Sequence, residues 1–179
     1  VGIDVGIGPG SESEPKIKHL WINSLKSAPK YYWEDFKVGD TASMGEMRVD
    51  KDEVIAFAQA YDPQPFHIDE EAAKRSFFSG LIASGWHTCA MVMRMMVDSY
   101  LRDSASLGSP GVENVRWLKP VRPGDTIRAQ RHVLETRASQ SKPGIGIVKS
   151  RWEVFNQDGE LVMTMEGYGM FERRNPGAA

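Results

Sequence analysis

Residues 84–103 read "SGWHTCAMVMRMMVDSYLRD", and the reading of this stretch decides the fold. Ser84 carries a side-chain oxygen that can accept an N–H from one turn further on, as a helix cap does. The residues after Gly85 contain no proline or further glycine to stop a helix. Positions 89–97 are apolar nearly all the way round, so the helix is expected to be buried rather than to lie on a surface. Arg94 is the exception and needs a partner or a way out to solvent. Met91, Met93, Met95 and Met96, with Met47 far upstream, suit a methionine-filled core better than a soft-metal site.

Working outward, the pattern changes after Gly111 from helical to strand-like. "VENVRWLKPVRPGDTIRAQRHVLETRAS" (112–139) holds two runs joined by "RPGDT", which has turn chemistry. "GIGIVKSRWEVFNQDGELVMTMEGYGMFER" (144–173) reads as a hairpin whose corner is the Asp-Gly of "NQDGE". Upstream, "DKDEVIAFAQAYD" (50–62) is a helix with Asp50 as cap and Glu53 placed for a capping box. Its Val54, Phe57, Ala58 and Tyr61 recur at helical spacing, and Pro63 and Pro65 end it. "DEEAAKRSF" (69–77) reads as a short helix. The run from Tyr31 to Asp50 has a Gly-Asp turn followed by a strand. One buried helix followed by long antiparallel strands is an α+β arrangement, in which a curved sheet wrapped round the helix covers it.

The totals bound the function. At 179 residues, with 41% hydrophobic and 26% charged residues, the chain suits one globular domain with a sizeable core. A net charge of −2 with scattered Lys and Arg offers no stripe for nucleic acid and no polybasic membrane patch. The single cysteine, Cys89, excludes an intramolecular disulfide framework and a cysteine-based zinc finger. No run reaches the roughly 18 apolar residues that span a membrane. A cytoplasmic protein is therefore the expectation. Residues 1–30 are expected to be a partly flexible leader or arm, in which Leu20, Trp21, Ile22 and Leu25 could pack on the body or on a second subunit. The domain proper is expected over 31–174, with a short tail at 175–179.

Chemistry concentrates in "YDPQPFHIDEEAAKRSFFSGLIASGWHT" (61–88). Pro63 and Pro65 fix φ and stiffen the backbone, so a helix is not expected there. Asp62 and His67, five residues apart, are then held in fixed directions. Near neutrality a carboxylate and an imidazole can accept and give protons, and both can grip one water. Adding water across a double bond needs that pairing. The plainer alternative is that Asp62 caps a turn and His67 is a hydrogen-bonded core histidine. Gly85, in the first turn of the buried helix, has an N–H without an intrahelical partner, at the positive end of the helix dipole. Such a donor suits a carbonyl oxygen that gains negative charge. The alternative is a glycine kept for close packing, as Ser84 is otherwise only a cap. His87 reads as structural or exposed, and His19 and His132 lack acidic or nucleophilic context. No G-x-S-x-G, H-E-x-x-H, C-x-x-C or G-x-G-x-x-G is present.

These elements together resemble the MaoC-like dehydratases, the (R)-specific enoyl-CoA hydratases of the hotdog fold, over residues 31–173. That family's D-x-N-P-x-H element is matched by Asp62-Pro63-Gln64-Pro65-Phe66-His67. Its helix-mouth element is matched by Ala83-Ser84-Gly85-Trp86, and its F-x-x-P-V-x-x-G-D signal by Trp117-Leu118-Lys119-Pro120-Val121-Arg122-Pro123-Gly124-Asp125. Gln64 stands where the family has Asn, Ser84 where it has His, and Trp86 where it has a smaller apolar residue. The resemblance implies a hotdog sheet around a central helix, with Asp62 and His67 as the water-activating dyad and Gly85 as the donor to the thioester carbonyl. Gln64, Ser84 and Trp86 would support or bind the substrate. It further implies an acyl-CoA substrate, no cofactor and no metal, and a homodimer or dimer of dimers. A hotdog thioesterase and a non-catalytic acyl-CoA or partner-binding module are the competing readings.

Overall fold

The computed structural model describes residues 28–177. The expected arm through Leu20–Leu25 lies outside the described residues. The elements run β1 (Thr41–Arg48), α1 (Lys51–Tyr61), α2 (Pro65–Ile68), α3 (Glu70–Arg75), α4 (Gly85–Ser99), β2 (Gly111–Trp117), β3 (Thr126–Ala138), β4 (Ile145–Phe155) and β5 (Leu161–Glu172). All five strands join one antiparallel sheet in the order β1-β3-β4-β5-β2. This is the α+β arrangement expected from the sequence.

Alternation explains why the sheet has an inside. Along β4, Val148, Ser150, Trp152 and Val154 are buried while the residues between them are half-buried, as the two-residue period of a strand requires. Trp152 and Val154 meet Met91, Val92, Met95 and Met96 of α4, together with Ile127 and Ala129 of β3 and Val162, Met163 and Met165 of β5. Burying one large apolar side chain of this kind stabilises the fold by roughly 1.5–3 kcal/mol, so the methionine face of α4 is a main anchor of the sheet. A second small core joins Phe36, Val133, Val148 and Phe171.

The structure differs from two of the expectations. First, α4 is not buried all round: Ala90 and Arg94 are exposed, and Met93 is 45% exposed. Arg94 reaches solvent and also donates to Asp98, 2.6 Å away and one turn along. Second, the two prolines do not forbid a helix. Pro65 begins the single turn α2, which carries His67, because a first-turn residue needs no N–H. The turn read at 122–126 is present, with Asp125 N donating to Arg122 O at 3.0 Å, but the strands on either side of it are not neighbours. β2 pairs with β5, whereas β3 pairs with β1 and β4, so the chain leaves the sheet after Trp117 and re-enters with β5 and β4 lying between the two strands. The β4–β5 hairpin does form, with Gly159 in the left-handed region at φ +77°.

Candidate active site

The site is assembled where the end of α1, the turn α2, the start of α4 and the segment after β2 meet. Asp50 caps α1 by accepting from the N–H groups of Asp52 and Glu53, and the helix ends at Tyr61. Asp62 therefore sits at its C-cap, and α2 begins three residues later. His67, on that turn, is buried.

Three hydrogen bonds set the dyad. Gln64 Nε2 donates to Asp62 Oδ1 at 2.7 Å, and Ser84 Oγ donates to Asp62 Oδ2 at 2.7 Å. The Ser84 hydroxyl, then the Gln64 amide, hold the Asp62 carboxyl below the usual carboxylate range, with the nearby imidazole adding to the effect. Nδ1 of His67 lies 2.9 Å from the carbonyl of Ile82. A carbonyl can only accept, so Nδ1 carries the proton and neutral His67 keeps its lone pair on Nε2. That nitrogen is 3.3 Å from Asp62 Oδ2. In that tautomer Nε2 and the Asp62 carboxylate are two acceptors side by side, where a single water can donate a proton to each.

The mouth of α4 completes the arrangement. Ser84 caps the helix through its Oγ, which accepts from Trp86 N at 3.3 Å, and is itself fully buried. Among the described residues the Gly85 N–H meets no acceptor. The carbonyl of the same peptide unit, that of Ser84, accepts from Thr88 N at 3.0 Å and from Thr88 Oγ1 at 3.4 Å. Donation to a carbonyl polarises its amide and makes the opposite N–H a stronger donor.

Asp62, Gln64, His67, Ser84, Gly85 and Trp86 all line one cleft of about 730 Å³, a size suited to a small-molecule site. All six residues singled out in the sequence are brought together there. The end of β2 and the segment after it form another wall: Ala83 N donates to Val121 O at 2.8 Å, and Trp117 Nε1 donates to Gly85 O at 3.0 Å. Arg122 pins the loop between α3 and α4 through Phe78 O at 2.6 Å. The other histidines stay apart. His87 is buried against Phe57, with ring centroids 4.8 Å apart, and His132 lies on β3 beside Thr41. Among the described residues no cluster of His, Cys, Asp or Glu is arranged to hold a metal.

Sequence reasoning missed Thr88, the Ile82 carbonyl and the role of Trp117. The first has a visible signal, since Ser84 and Thr88 are four apart on a helix. A backbone carbonyl has none.

The fold is that of a hotdog protein, and the comparisons place the chain in a family. Residues 36–150 match the MaoC like domain family, and the chain belongs to that family. The crystal structure of a MaoC-like dehydratase from Rhodospirillum rubrum is 42% identical, covers 80% of this chain and 98% of its own, and superposes with a TM-score of 0.74. YdeM of Bacillus subtilis, an uncharacterized protein, is 29% identical over 112 residues, 63% of this chain and 79% of its own length. An (R)-specific enoyl-CoA hydratase from Rhodospirillum rubrum is 26% identical over 103 residues, 55% of this chain and 67% of its own. Among the described residues no helix is long and apolar enough to cross a membrane.

Proposed function

We propose that this protein is an (R)-specific hydratase/dehydratase that adds water across, or removes it to form, the C2–C3 double bond of a 2-enoyl thioester, with CoA as carrier. The observation that carries the reading is the 3.3 Å approach of His67 Nε2 to Asp62 Oδ2, in the same cleft as the free Gly85 N–H. In this reading one water lies against both acceptors. Its oxygen attacks C3 while its proton passes to Nε2, the stronger base, because two hydrogen bonds stabilise the Asp62 anion. The imidazolium formed is held beside the Asp62 carboxylate and delivers a proton to C2. The net change is addition of one H and one OH. Charge that builds on the thioester oxygen is received by Gly85 at the positive end of α4.

No metal or redox group has a part in these steps. A homodimer joined through the β2 edge belongs to the same proposal: β2 lies at the end of the sheet, and Val112 on it is exposed. The acyl group is expected to be short or unusual, since Trp86 stands at the cleft wall.

The test follows the enoyl-thioester absorbance of crotonyl-CoA and of a longer enoyl-CoA, with wild type and Asp62→Asn. Loss of the band in wild type alone, without release of free thiol, supports the hydratase. Thiol release would make the protein a thioesterase instead, and an unchanged band with both substrates would sink the enzyme reading.

A further inference from the structure

We infer that Trp117 is the positioning residue of the carbonyl-binding donor: its indole holds the first turn of α4 so that the Gly85 N–H faces the cleft, and it makes glycine compulsory at position 85. The inference deepens the hydratase reading above and rests on it for its kinetic consequences.

Trp117 is the last residue of β2, paired in register with Met163 on β5. It is therefore fixed to the sheet, 32 residues away in sequence from the glycine it touches. Its Nε1–H donates to the Gly85 carbonyl at 3.0 Å. A carbonyl at a helix start has a second lone pair for such a bond. The indole also fills the space beside Gly85: a β-carbon built there would overlap Cε2, Cδ2 and Nε1 of the ring. Gly85 has no positive φ, so its backbone gives no reason for glycine, and the close approach of the indole does. Trp86, the next residue of α4, meets the same ring edge-on, with centroids 5.5 Å apart.

Exposure separates this from ordinary core packing. Trp117 is 47% exposed and lines the cleft, whereas the residues that hold α4 to the sheet are the buried methionines. Its hydrogen bond thus joins the sheet to the one turn whose N–H is proposed to meet the substrate. A donor misaimed by a fraction of an ångström loses much of its value to a developing oxyanion, and loss of a whole donor costs roughly 100–1000-fold in kcat. A wall that only tilts is expected to cost less.

Trp117→Phe removes the N–H while keeping a ring, and three readouts test the role. The Gly85 amide resonance in a ¹⁵N-labelled sample reads the aim without substrate and is expected to move. Turnover of crotonyl-CoA is expected to fall roughly tenfold in kcat with KM within about twofold. In an Asp62→Asn background, the carbonyl stretch of bound ¹³C-carbonyl crotonyl-CoA is expected to lose most of its displacement from the free value. An unmoved Gly85 amide, or a defect confined to KM, overturns the inference. If Trp117→Phe fails to fold, Gly85→Ala takes its place. It keeps the N–H and should lose activity through the clash, and Trp117→Leu in the same chain should restore part of it; full activity of Gly85→Ala overturns the inference. A wild type that leaves crotonyl-CoA unchanged while the amide still moves would overturn the hydratase reading and leave the positioning role standing.

Discussion

The hydroxyl of Ser84 donates to Oδ2 of Asp62 across 2.7 Å, so the residue that caps α4 also holds the acid of the dyad. The same oxygen accepts from Trp86 N. In the proposed mechanism water activation and carbonyl binding are thereby tied to one side chain, and the two halves of the cleft cannot drift apart without breaking this bond. Substitution Ser84→Ala removes the hydroxyl that does most to hold the Asp62 pKa down and leaves the weaker contribution of Gln64. The Asp62 pKa is expected to rise toward the ordinary carboxylate value of about 3.9, with a loss of roughly 1 kcal/mol of stability from the missing cap. A ¹³C-carboxylate titration of both proteins checks it. An Asp62 that titrates identically in both would show that Ser84 does not set its charge.

The depressed Asp62 pKa also fixes a stability window. A carboxyl with a lower pKa folded than unfolded favours the folded state above its unfolded value. That contribution is lost as pH falls through the folded value. Wild type should therefore lose stability on acidification below about pH 4 more steeply than Asp62→Asn, which has nothing to protonate. Urea midpoints from pH 5 to 2.5 measure the difference, and parallel curves would count against it.

His67 offers a separation of position from chemistry. In His67→Asn the amide N–H can replace Nδ1 as donor to Ile82 O, but nothing stands in for Nε2. Such a variant is expected to keep a thermal midpoint close to wild type, with His67→Ala lower because the Ile82 carbonyl is left without its donor. Both should lose on the order of 100-fold or more in kcat. Calorimetry beside the crotonyl-CoA assay decides it, and an active His67→Asn would remove Nε2 from the proposed mechanism.

Much of this geometry is written in residues that announce themselves. Asp50 and Ser84 mark the starts of two helices by their capping chemistry, and both cap as read. The Asp-Gly at 158–159 turns a real hairpin. The order of the sheet is less legible, because "RPGDT" has the chemistry of a turn but cannot say which strands it separates. Val121 O is drawn to Ala83 N, and that long-range bond takes the chain off the sheet. Periodicity failed on α4 for a related reason: Met93 and Met91 are the same letter, and only the placement of the sheet exposes one and buries the other. In the cleft, Asp62, His67 and Gly85 could be singled out by spacing. The Ile82 carbonyl that fixes the imidazole tautomer could not.

Gly146 shows the same close-approach logic away from the site. A β-carbon there would overlap the indole of Trp33, which packs on the second small core with Phe36 and Phe171. Gly146→Ala forces that ring or strand β4 to shift, and overpacking of this kind costs roughly 1–3 kcal/mol. Since Gly146 does not line the candidate cleft, kcat at 25 °C should be unchanged while the urea midpoint falls. An unchanged midpoint would mean that Trp33 moves aside freely.

His87 is buried but takes no part in the proposed chemistry. It stacks on Phe57, its Nδ1 has no hydrogen-bond partner among the described residues, and it lies outside the cleft. Burial pushes its pKa down, opposed only in part by the charge of Glu53. The unfolded chain then binds a proton near pH 6.5 that the folded chain refuses. Stability attributable to this site is complete above that pH and declines as pH falls from there toward the folded value. His87→Leu removes both the titration and the unpartnered nitrogen at similar volume. The variant should match or exceed wild type at pH 7.5, and its advantage should widen by pH 5.5, in a range where Asp62 remains ionised in both proteins. Thermal midpoints at the two pH values give the answer: a gap that stays constant would mean that His87 takes up its proton in the folded protein without cost.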